Sequence, residues 1–157
     1  MGFLDWSGES LKLDKFLKEH LYYEFAMLYA SKKYVPENVI ERNMRYEVFL
    51  VHARLLYEFF YKPINRRHPD NARAISYIDN WKPESFPKNV GEKWYEDVSQ
   101  RLVHLSQKRD TVSIFNDHYL KRVYAVMVSN FDKFYVSLNP TDKKLQRLLK
   151  AMKLEVN

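Results

Sequence analysis

The chain has 157 residues, 46% of them hydrophobic and 16% aromatic, so we expect one domain with a packed core, which excludes a disordered chain. Its lack of cysteine excludes a disulfide framework, a thiol nucleophile and cysteine-ligated zinc, and three glycines are few for a dinucleotide-binding fold. The whole net charge of +6 lies in residues 101–157, which hold eleven basic and five acidic residues; an anionic partner and an ordinary solvated surface both fit this excess.

The start of the sequence predicts the compartment. It lacks the basic residues and the apolar run of a secretory signal, and Trp6 stands where the myristoylation pattern requires Ser or Thr. No window approaches the roughly 18 uninterrupted apolar residues of a membrane span. We therefore expect a cytoplasmic protein that makes no contact with a membrane.

The first predicted helix runs from a cap at Ser10 to about Lys33. Apolar residues and one histidine recur at the spacing of a single helical face, and we expect them to point inward: Leu13, Phe16, Leu17, His20, Leu21, Phe25 and Leu28. Only a short link containing Pro36 separates this helix from the next, so the two should lie antiparallel.

The second predicted helix, from Asn38 to Tyr61, should be the centre of the core. Its apolar residues recur every three or four positions and are widened by three more on the same side: Ile40, Met44, Val48, Val51, Leu55 and Phe59, then Phe49, Leu56 and Phe60. On this pattern Leu55→Ala should cost about 2–5 kcal/mol. His52 lies within the apolar arc, either as a core histidine with one hydrogen-bond partner or as a functional imidazole.

Residues 62–91 predict an irregular crossover, because four prolines interrupt them. Only residues 71–79 look helical, with Asp70 as their cap. The run Arg66-Arg67-His68 fits either phosphate contacts or an exposed charged loop.

Three more helices complete the predicted fold. They run over about residues 92–108, 114–138 and 142–153, and the last lies in a basic C-terminal segment, residues 140–153. The helix over residues 114–138 should bury one apolar side: Phe115, Tyr119, Val123, Val126, Phe131 and Phe134. We predict one all-α domain over residues 1–157, an antiparallel bundle of five or six helices with an irregular proline-containing crossover.

The fourth predicted helix carries the main candidate for catalysis. Polar residues spaced four, three and four apart share one stripe beside its apolar face: Asp97, Arg101, His104 and Lys108. Arg101 would hold a phosphate while His104 moves a proton, which suits metal-independent RNA cleavage by a 2′-OH. Arg54 would join them if it faces this helix. Ion pairs on a helix surface with one incidental histidine are the alternative interpretation.

The last predicted helix is basic and amphipathic. Its cations would contact RNA phosphates together with two from the fourth helix: Lys143, Lys144, Arg147 and Lys150, with Lys108 and Arg109. Alternatively, its apolar stripe only closes the bundle. The sequence has no glycine-rich phosphate loop, no His-Glu-x-x-His and no Glu-x-x-His, so we expect no cofactor and no metal site.

Two runs carry a resemblance to a family. His52-Ala53-Arg54-Leu55-Leu56, followed by Phe59-Phe60-Tyr61 and Trp81, and Arg101-Leu102-Val103-His104-Leu105-Ser106 with Arg109, resemble a bacterial family of uncharacterised helical proteins. The layout also resembles the HEPN superfamily of small helical bundles. That resemblance implies an RNA-binding protein or a metal-independent endoribonuclease of a defence or toxin system, whose arginine and histidine lie on a late helix.

The chain departs from the HEPN motif in one respect. Members place four to six residues between that arginine and histidine, whereas two separate Arg101 from His104. The alternative is therefore a non-enzymatic helical interaction module that forms a homodimer or binds a cognate protein partner.

Overall fold

The computed structural model describes most of the chain, namely residues 15–67, 71–87, 90, 94–100, 116–138 and 143–156. Within these ranges the regular structure is all-helical and contains no β-strand, which confirms the all-α part of the predicted fold. The described residues form five α-helices: α1 (Tyr22–Lys33), α2 (Val39–Tyr61), α3 (Trp94–Val98), α4 (Asp117–Leu138) and α5 (Lys143–Leu154). A π-helical segment, Phe16–Leu21, leads directly into α1, and a 3-10 turn, Ala74–Ser76, lies between α2 and α3. None of these helices is long and apolar enough to cross a membrane.

Helices α1 and α2 form an antiparallel pair. Glu24, near the start of α1, contacts His52 in the second half of α2 at 2.6 Å, whereas Tyr34, which follows α1, donates a 2.8 Å hydrogen bond to Glu41 in the first turn of α2. The amide of Glu41 donates to the side chain of Asn38, which caps α2 as Asn commonly does. His52 is buried and has a carboxylate partner, so the core-histidine interpretation describes it.

Aromatic rings from several elements meet in the core. Phe25 of α1 stacks on Phe131 of α4, with ring centroids 3.9 Å apart. Phe60 of α2 packs between Phe25 and Phe134. Helix α5 closes this core with one face, as predicted: Leu145, Leu148, Leu149 and Met152. The predicted inward residues of α4 that the structure describes are buried, except Tyr119, which is half-buried.

The buried face of α2 is not the one that its periodicity predicted. Ile40 is 72% exposed, Met44 59%, and Val51 and Leu55 just under two-fifths, while Phe59 is buried. The core instead takes the residues that were expected only to widen the predicted face, with two small or branched neighbours: Phe49, Leu56 and Phe60, with Leu50 and Ala53. Because α2 is apolar on two sides, spacing alone cannot identify the buried side.

Two other predictions about local structure are wrong. His20 is exposed, whereas Leu17 and Leu21 of the same π-helical segment are buried as predicted, so an imidazole that can be hydrated stays at the surface. Residues 71–79 contain only the single 3-10 turn, because Arg73 has an extended backbone with φ −137° and ψ 143°, which a helix cannot include. The predicted cap of that helix, Asp70, lies outside the described residues.

The proline-containing segment 81–87 is held by side-chain hydrogen bonds. The indole of Trp81 donates to the carbonyl of Phe60 at 2.9 Å. Asn130, fully buried on α4, accepts from the amide of Glu84 at 2.9 Å and donates to the hydroxyl of Tyr61 at 2.8 Å. Tyr61 in turn donates to the carbonyl of Glu84 at 2.7 Å, and its burial raises the pKa of the phenol to about 12.

Candidate functional site

Arg54 is the predicted catalytic residue that the structure places, and it faces α3. Its Nε donates to the hydroxyl of Ser99 at 2.8 Å, and its Nη2 lies 3.1 Å from a carboxylate oxygen of Glu58. Tyr95 of α3 donates to the same oxygen at 2.7 Å. Burial raises the pKa of Tyr95, and the neighbouring Glu58 acts in the same direction. Arg54 therefore joins α2 to α3, and a phosphate could bind it only by competing with these partners.

The other predicted catalytic residues, Arg101 and His104, lie outside the described residues, as do Lys108 and Arg109. The predicted trio of Arg54, Arg101 and His104 therefore stays a prediction. Arg54 extends from α2 to Tyr95 of α3 and to Ser99, which directly follows α3 in the sequence.

A cleft beside this network contains a buried arginine that the sequence analysis missed. Arg73 is 7% exposed, and its Nη2 lies 3.6 Å from Glu58. Lys62 and Arg66, both exposed, line the same cleft. Nothing in the sequence distinguishes Arg73 from a surface arginine, because its burial depends on tertiary contacts such as that with Glu58 of α2.

Basic residues line the outer side of α5. Lys143, Arg147 and Lys150 are exposed, and none has an ion-pair partner among the described residues. Lys144 differs from them, because its ammonium group lies 3.9 Å from the ring centroid of Tyr22 and helps to hold α5 against α1.

A large apolar surface on α1 and α2 was also missed. We call it the hairpin face, and it consists of two stripes of residues. The stripe of α1, with the residue that follows it, is Tyr23, Met27, Ala30 and Tyr34, and the stripe of α2 is Ile40, Met44, Val48, Val51 and Leu55. The spacing of each stripe, three or four residues, puts its members on one side of the helix, away from the buried side. An apolar groove lined by Tyr34, Met44 and Val48 joins the two stripes.

The described ranges contain no group of three histidine, aspartate or glutamate side chains that could hold a metal ion. No protein-family model matches the chain, and no curated protein or solved structure shows significant similarity to it. The resemblance to the HEPN superfamily therefore stays a prediction.

Proposed function

We propose that this protein is a helical interaction module that works as a homodimer, in which the hairpin faces of two copies pack together. The observation that carries this proposal is that α2 is apolar on two sides. One side is buried in the core of its own chain, and the other is exposed. Within this proposal the helices of each copy form one antiparallel bundle, and the two hairpins of the dimer add a four-helix interface.

The size of the hairpin face supports a stable interface. The exposed fractions of its larger side chains correspond to on the order of 600 Å² of apolar surface per copy, compared with about 800 Å² per partner in a standard specific interface. The largest apolar patch of a typical monomer covers about 300–600 Å², so the area of the hairpin face lies at the upper end of the range for monomeric proteins. Polar atoms at its margin would supply the remaining area.

Its charges favour a second copy over a foreign partner. The charged groups between the two stripes already have partners in the same chain: Glu24 with His52, Glu41 with Tyr34, and Arg45 with Asp117 at 2.8 Å. A charged partner would gain no ion pair there, whereas an identical apolar face needs none. Two-fold pairing also places equivalent residues near one another, as closed dimers require.

Sedimentation velocity of the purified chain tests this proposal. We expect a dimer at micromolar concentration, and we expect Ile40→Glu to convert it to a monomer, because a carboxylate would be buried without a partner. Val136→Glu is the matched control, because Val136 is exposed to a similar extent, 69%, and lies outside the hairpin face. If the wild-type chain is still a monomer at about 100 µM, the proposal is refuted, because the Kd of the dimer would then be too weak for an interface of this size. If Ile40→Glu and Val136→Glu dissociate the dimer equally, the proposal is also refuted.

A second candidate function, RNA binding by a HEPN-like protein, is favoured by the exposed cations of α5. Lys143, Arg147 and Lys150 lie on one basic edge whose apolar side is already buried, so they are available for phosphates. A metal-independent ribonuclease would further require Arg101 and His104. This candidate is compatible with a dimer, because α5 contributes no residue to the hairpin face.

The salt dependence of RNA binding tests the second candidate. Each phosphate contact with single-stranded RNA contributes about −0.7 to the slope of log affinity against log salt, so the double variant Lys143→Gln, Lys150→Gln should reduce the slope by about 1.4. Its thermal stability should stay nearly unchanged, because both ammonium groups are exposed. Undetectable binding at low salt, or an unchanged slope, would remove this candidate.

A further inference from the structure

Arg73 is a buried cation with few partners. Its side chain is 9% exposed, and its Nη1 donates to the carbonyl of Ala72 at 3.1 Å. The carboxylate of Glu58 lies 3.6 Å from Nη2, outside hydrogen-bond distance, and the buried Nε has no partner in the described part of the chain. A guanidinium group has five N–H donors, and a buried charge is costly unless it is paired. Among the described residues, this guanidinium group therefore has one hydrogen bond and one longer ion pair.

Among the described residues that line the cleft of Arg73, cations outnumber carboxylates. Lys62 and Arg66 stand at its exposed margin, and the ammonium group of Lys62 lies 4.5 Å from the ring centroid of Tyr95, which forms part of the wall. Glu58 is the carboxylate in the lining, and one of its oxygens is already occupied by Arg54 and Tyr95. Of the described lining residues, an anion entering the cleft would therefore meet three cations, together with a carboxylate that is largely neutralised.

We propose that this cleft binds the phosphate group of a small molecule through Arg73, Lys62 and Arg66. The planar guanidinium of Arg73 suits two phosphate oxygens at once, and Lys62 and Arg66 add charge from the open side. The cleft has a volume of about 490 Å³, which lies within the range of about 300–1,000 Å³ for small-molecule sites. This site shares no residue with the hairpin face or with α5, so it stands apart from both functions proposed above.

Isothermal titration calorimetry with the full chain tests the site. Inorganic phosphate and adenosine monophosphate are the two probes, and sodium chloride at equal ionic strength is the blank. We expect saturable binding of phosphate, and tighter binding of the nucleotide would show that the group is carried by a larger molecule. No saturable heat with either probe at about 10 mM, where even a ligand of about 1 mM Kd would occupy most sites, would overturn the proposal.

Variants at the margin of the cleft keep this test independent of folding. Lys62→Gln and Arg66→Gln should each weaken phosphate binding about tenfold, as expected for the loss of one charge-assisted contact, without unfolding the chain. Lys121→Gln, an exposed lysine of α4, is the control and should leave the affinity unchanged. Equal losses in Lys62→Gln and Lys121→Gln would show a non-specific charge effect and would also overturn the proposal. Arg73→Gln should abolish binding, provided that its circular dichroism matches the wild type.

Discussion

Two neighbouring leucines of α2 give the sharpest test of the fold, because they lie on its two different sides. Leu56 is 1% exposed in the core, and Leu55 is 39% exposed on the hairpin face. Leu56→Ala removes buried atoms and leaves an enclosed cavity, so we expect the free energy of unfolding to fall by about 2–5 kcal/mol. Leu55→Ala should cost only about 1–2 kcal/mol, because a fully buried leucine contributes about 1.5–3 kcal/mol and this site is open to solvent.

Urea denaturation followed by circular dichroism at 222 nm measures both variants. The experiment should use the lowest workable protein concentration, because dimer formation would add to the apparent stability of the wild type. The m-value should stay constant in both variants if they alter stability alone. If Leu55→Ala costs as much as Leu56→Ala, or more, then the assignment of the buried face of α2 is wrong.

The remaining predictions concern a buried phenol, a buried amide and the predicted ribonuclease. The pKa of Tyr61 is raised to about 12 from its ordinary value near 10, so its neutral form stabilises the fold. This contribution is complete below pH 10 and is lost as the pH rises towards 12. In thermal melts recorded across this range, the melting temperature of Tyr61→Phe should therefore fall less with pH than that of the wild type. Asn130→Ala should lower the free energy of unfolding by about 2–4 kcal/mol, because it leaves the Glu84 amide without its acceptor; a loss below about 0.5 kcal/mol in urea would contradict the described network. If the chain is a ribonuclease, mixed RNA should be cleaved in the presence of a chelator, and His104→Ala should slow cleavage at least about a hundredfold; no cleavage by the wild type would reject that prediction.

The sequence was sufficient to predict the helical class and several helix boundaries. The regular apolar spacing in α5 occurs on one side only, so the buried residues Leu145, Leu148, Leu149 and Met152 followed directly from it. The predicted range of the second helix, Asn38 to Tyr61, also agrees with α2, which Asn38 caps.

The sequence was not sufficient where two answers had the same spacing. Ile40 and Leu56 lie on opposite sides of α2, yet each belongs to a stripe with helical periodicity, so only tertiary packing identifies the buried one. Arg73 and Asn130 are polar residues whose burial depends on partners distant in sequence, and local patterns carry no information about such partners. By contrast, the ion pair of Arg54 with Glu58 is local and joins residues four apart along one helix, a spacing that the sequence itself displays.

The contact between α1 and the end of α5 has a consequence for how the chain folds. Lys32 donates to the backbone carbonyl of Glu155 at 2.7 Å, across 123 positions of sequence, whereas Tyr34 reaches Glu41 across only seven. Closing a long loop costs more entropy than closing a short one, so we expect the α1–α2 pair to form early and the α5 contact to form late. During synthesis on the ribosome, the surface of α1 that receives α5 would stay uncovered until almost the whole described chain has emerged.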